Sequence, residues 1–118
     1  FGEFDAAEAF DYQKLPLCFF GHTHFPCVYT KRDSVVEGTF MEGSSNEIKL
    51  EKGVTYLINP GSVGQPRDRN PRVAFALYDS DQHVIKFHRL EYDLIDAQHK
   101  IIKAGLPPAL AERLSLGI

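Results

Sequence analysis

Gly21-His22-Thr23-His24 sets two imidazoles one residue apart, directly after the apolar run Leu17-Cys18-Phe19-Phe20. Neutral imidazole ligates zinc, iron, nickel and manganese, so the pair points to transition-metal chemistry. In an extended segment the two rings would project to opposite sides, and bringing them together requires a tight turn. Gly21 is the expected source of permissive backbone for that turn. Two other readings of the same residues stay open. One is a pair of surface-loop histidines, and the other is a four-ligand structural zinc site built from Cys18, His22, His24 and Cys27. Cys18 inside the apolar run is also stable there as a small hydrophobe.

Further candidates lie downstream. Asn59 precedes the Pro60-Gly61-Ser62 turn and either lines a site rim or ends a strand. Arg67, Arg69 and Arg72 flank Asp68 on one irregular loop. Arg67 is the candidate to grip a phosphate bidentately, with a solvated, partly self-paired charge cluster as the plainer alternative. His83, His88 and His99 have no neighbour at ligand spacing and read as surface or turn residues. Phe19, Phe20, Phe40, Tyr56, Phe75, Tyr78 and Phe87 fall on β-type runs, where core packing accounts for them.

The elements that must carry these residues follow from hydrophobic periodicity. Asp5 to Lys14 has good helix formers, acids early and a lysine last, and Pro16 cannot continue it. The run Leu17 to Phe20 predicts an internal parallel strand buried on both faces. Val28-Tyr29-Thr30 is β-type, and Val35–Phe40 with Asn46–Glu51 predicts a hairpin around Gly43-Ser44-Ser45. Thr55–Asn59 is a further strand, closed by the irregular loop Pro60 to Pro66. Arg72–Tyr78 and Val84–Leu90 read as a strand pair, the second alternating apolar and polar residues. Helices are expected over Tyr92–Ala104 and after Pro107-Pro108, the last one stopped by Gly117. Strands outnumber helices, and the pattern is that of part of a layered α/β domain.

At 118 residues, 43% hydrophobic and 25% charged, the chain suits one globular domain and not a disordered or collagen-like one. A net charge of −3 argues against a dedicated nucleic-acid binder. No apolar stretch approaches the ~18–20 residues that span a bilayer, and a membrane partner is not expected. Two cysteines make no disulfide framework, and reduced thiols suit a cytoplasmic protein. Met41 is the sole methionine and the first residue is Phe1, so an N-terminal portion is expected to be missing.

Phe20-Gly21-His22-Thr23-His24-Phe25-Pro26, followed about 35 residues later by Asn59-Pro60-Gly61-Ser62-Val63-Gly64 and then by Phe75-Ala76-Leu77-Tyr78-Asp79, resembles the C-terminal part of the calcineurin-like metallophosphoesterase superfamily. Within it, the likeness is greatest to small phosphodiesterases of the diadenosine-tetraphosphatase-like group. The resemblance runs from about Leu15 to the end. It implies a four-layer αββα sandwich, α/β or in some schemes α+β, of which residues 1–118 are the C-terminal portion of one domain. It implies a hydrolase with two divalent ions (Mn, Fe, Ni or Zn), His22 ligating one and His24 the other, with Asn59 at the substrate rim. The family's Asp-x-His, Gly-Asp-x-x-Asp and Gly-Asn-His blocks do not occur in residues 1–118. Two ions a few Å apart need a bridging carboxylate, so this chain alone is expected to hydrolyse phosphoesters poorly. Expected partners are a small phosphoester substrate, the N-terminal portion, and a second copy at an uncovered sheet edge. A non-catalytic scaffold of the same fold is the alternative.

Overall fold

The computed structural model describes residues 1–118. Helix α1 (Glu3–Tyr12) is followed by strands β1 (Leu17–Phe19), β2 (Cys27–Arg32), β3 (Val35–Phe40), β4 (Ser45–Lys49), β5 (Thr55–Asn59), β6 (Val73–Asp79) and β7 (Val84–Leu90), then by helices α2 (Leu94–Lys103) and α3 (Ala109–Leu116). The strands form two sheets, β1-β5-β2-β3 and β4-β7-β6. β1 runs parallel to β5, and every other pairing is antiparallel.

Side-chain alternation explains why β2 and β5 are central. Val28, Tyr56 and Ile58 point toward the second sheet, where they pack with Ile85 and Phe87 of β7 and with Met41 and Val54. Cys27, Tyr29 and Leu57 point the other way, onto Ala6 and Phe10 of α1. Ala6 and Phe10 are four apart and therefore share one helix face. Acids in the first turn, with Asp5 accepting from the Gly2 N–H at 2.7 Å, suit the positive end of α1. The layers are thus α1, first sheet, second sheet. Each fully buried aliphatic or aromatic side chain contributes about 1.5–3 kcal/mol.

Two expectations need correction. The apolar run at β1 is not enclosed on both faces: β1 is an edge strand, Cys18 is exposed and Phe19 is 46% exposed. The strands buried on both faces are β2 and β5, which have neighbours on each side and layers above and below. The expected hairpin of 35–40 with 46–51 also does not form. β3 pairs with β2 through the Asp33-Ser34 turn, whereas β4 crosses to pair with β7. Gly43 at φ 82° lies within the crossover, so the glycine there turns the chain between sheets.

The pair β6–β7 forms as its spacing predicts, with Asp79 Oδ1 accepting the N–H groups of Asp81 and Gln82. Helices α2 and α3 pack on each other, and the backbone of neither comes close to a sheet. The hairpin they make projects outward. It raises the radius of gyration to 16.2 Å, against about 13–14 Å for a compact chain of this length. No helix is long and apolar enough to cross a membrane.

Candidate metal centre

The His pair lies beyond the C-terminal end of β1, where open α/β sheets carry their ligand sites. The Thr23 N–H donates to the Gly21 carbonyl at 3.0 Å, closing a three-residue turn centred on His22 at φ 74°. A γ-turn with positive φ at its centre is the rare, strained form. His24 follows at φ 61°. The permissive backbone expected of Gly21 is therefore not used. Gly21 is not among the positive-φ residues, and both histidines take the left-handed conformation themselves. Such backbone costs on the order of 1–3 kcal/mol per residue and persists only where the surroundings over-determine it.

The surroundings here are Asn59 and the loop that follows it. Asn59, the last residue of β5, is fully buried, and its Nδ2 donates to the Gly21 carbonyl at 3.2 Å and to Thr23 Oγ1 at 2.9 Å. Its Oδ1 accepts the Gly61 N–H at 2.9 Å. One side chain thus ties both ends of the His22 turn to the Pro60-Gly61 turn. Gly61 has φ 90°, and a Cβ there would lie 2.5 Å from Ala74 Cβ, so no other residue fits.

His24 Nδ1 lies 2.7 Å from the Gln65 carbonyl. A carbonyl only accepts, so Nδ1 carries a proton, and in the neutral ring Nε2 is the nitrogen with the lone pair. Metal-ligating histidines are held in this way, with one ring nitrogen engaged so that the other can coordinate. His22 is exposed and makes no side-chain hydrogen bond. These two imidazoles fit as metal ligands, one pre-set in its tautomer. The chain adds no group of three or more His, Cys, Asp or Glu side chains able to hold an ion.

The four-ligand zinc set does not assemble. Cys27 is packed between α1 and the first sheet, and burial pushes its thiol up to about 11, whereas a zinc ligand must be a thiolate. Cys18 stands exposed on β1.

Arg67 is exposed on the loop, with its Nη2 3.3 Å from Gln65 Oε1. Arg72 is engaged by Asn70 Oδ1 and Ser44 Oγ. Asp68 pairs with none of its arginine neighbours on the loop but with Arg89 of β7, which is buried and also donates to the Arg72 carbonyl at 3.0 Å. Buried Pro66 stiffens the stretch between Asp68 and the Gln65 carbonyl. Arg89 went unnoticed in the sequence although a signal exists: it occupies the inward register of Ile85 and Phe87. A guanidinium on that face requires a carboxylate from another element.

A solved metallophosphoesterase from Sphaerobacter thermophilus superposes on the chain with a TM-score of 0.85, at 39% identity, over 97% of this chain and 47% of that one. The chain has the fold of a metallophosphoesterase over nearly its whole length. An uncharacterized protein of Methanocaldococcus jannaschii is 42% identical over 101 residues, 86% of this chain and 39% of the relative. The chain therefore spans less than half the length of either protein. No family model matches the sequence. The superposition makes the mixed α/β arrangement, two sheets with three helices, part of the metallophosphoesterase fold.

Proposed function

We propose that residues 1–118 form the C-terminal portion of a metal-dependent phosphoesterase, in which His22 and His24 each ligate one of two divalent transition-metal ions. The observation carrying this reading is the His24 Nδ1 to Gln65 carbonyl bond beside two histidines held in left-handed backbone. Divalent cations held there would supply Lewis-acid neutralisation of charge during in-line displacement at phosphorus. Around them, the Gln65 carbonyl keeps the His24 proton on Nδ1. Arg67, exposed on the neighbouring loop, suits the phosphate of a small phosphodiester or phosphomonoester through its fork of donors. The carboxylates that such a pair of ions needs belong to the portion of the fold outside this chain. That portion, as partner, suits the uncovered edge of β1. Two unpaired thiols favour a cytoplasmic setting.

Manganese-stimulated hydrolysis of bis-p-nitrophenyl phosphate tests the reading. The protein with its remaining portion is expected to turn over, His22→Ala or His24→Ala to lower the rate roughly a hundredfold or more, and the 118-residue chain alone to give little or none. Robust turnover by the short chain would refute the shared-site reading. A complete protein without turnover would instead favour a non-catalytic scaffold.

A further inference from the structure

Asn59 ends a strand beside the His pair, and its side chain has no route to a substrate. It is fully buried, and its amide nitrogen and oxygen already serve the Gly21 carbonyl, Thr23 Oγ1 and the Gly61 N–H. Both of its bonds to the preceding loop fall on the two residues flanking His22, the residue at φ 74°. A strained turn of three residues relaxes unless something grips both ends, and Asn59 is the side chain that grips both. Thr23 takes part on the receiving side, since Oγ1 also accepts the Phe25 N–H at 3.5 Å and so links the turn to the chain leaving it.

The geometry points to Asn59 as a positioning residue for the metal centre, acting through the main chain of Gly21–Thr23 and not through substrate. The inference rests on His22 and His24 being metal ligands. Residues that orient ligands typically change metal affinity tenfold to a hundredfold when removed. A residue touching substrate would change KM instead.

The two roles separate in a titration of the protein with Co2+, followed by its visible absorption, alongside kinetics at saturating Mn2+ with bis-p-nitrophenyl phosphate. Asn59→Ala is expected to weaken Co2+ binding about tenfold to a hundredfold, with KM at saturating Mn2+ unchanged. Unchanged Co2+ affinity with a raised KM overturns the inference. Should circular dichroism show Asn59→Ala unfolded, Thr23→Val takes its place, removing one of the two acceptors at nearly constant shape. It should weaken Co2+ binding severalfold, and an unchanged affinity overturns the inference. A protein that binds Co2+ but hydrolyses no phosphoester defeats the phosphoesterase reading alone, because the Co2+ affinities still decide the role of Asn59. A protein that binds no Co2+ defeats both.

Discussion

Cys27 and Tyr29 occupy adjacent inward positions of β2 beneath α1, and burial is the largest influence on each. It raises the Cys27 thiol from 9.0 to about 11, and it raises the Tyr29 hydroxyl above its ordinary 10.0, helped by the neighbouring Cys27. Above pH 9 the unfolded chain releases the thiol proton while the folded chain keeps it. Folding stability therefore falls as pH rises from about 9 to about 11 and is fully present below that window. For the thiol alone the loss is on the order of 2 kcal/mol. Urea unfolding midpoints between pH 8 and 11 are expected to decline for the wild type and to decline less steeply for Cys27→Ala, which retains only the Tyr29 share. Equal slopes would show that the thiol is not buried as described. At this scale the sequence marked both histidines as candidate ligands but misassigned the residue that bends the chain, because a glycine beside a turn need not be the residue in the turn.

Among the elements, α3 matters through its end. Gly117 closes the helix at φ 65° with its N–H bonded to the Arg113 carbonyl, and its own carbonyl accepts the Arg69 N–H at 2.9 Å. A Cβ there would come within 2.6 Å of the Asn70 backbone nitrogen. Gly117→Ala is thus strained twice, by conformation and by contact, and should cost about 1–3 kcal/mol. Because the contact falls on the loop and not on a sheet, the accompanying sign is local: amide exchange at Arg69 should accelerate while that of the β2–β5 ladder stays slow. Uniform acceleration would mean that α3 supports the core. The glycine stop of α3 and the β6–β7 pair were legible because each depends on a few consecutive residues. The pairing of β4 with β7 was not, since Val35–Phe40 and Asn46–Glu51 looked like partners of each other until the chain was seen to change sheets at Gly43.

Over the whole molecule, the second sheet and α1 cover the two faces of the first sheet, but β1 keeps an unpaired edge beside Leu15 (71% exposed) and Phe19, whose ring lies 6.3 Å from that of Tyr78. An apolar edge of this kind recruits another strand. The chain by itself is expected to associate with rising concentration in analytical ultracentrifugation, and Phe19→Lys to reduce that association at little cost to stability. Concentration-independent monomers of the unmodified chain would show that the edge is already protected.

Sequence alone determined the features that depend on local chemistry. These are the imidazole pair after an apolar run, the turn residues at 60–66, the helix stops, and a family resemblance resting on blocks of contiguous residues. Tertiary structure decided what needs residues far apart to meet. Asn59 reaches back 38 positions to the Gly21 carbonyl, Gln65 fixes the His24 tautomer across 41, and Arg89 of β7 answers the charge of Asp68 on the loop. The reason is physical: hydrogen bonds and ion pairs act over a few Å, and only the pairing of β1 with β5 and the folding of the 60–72 loop against the His turn and β7 bring those groups within range.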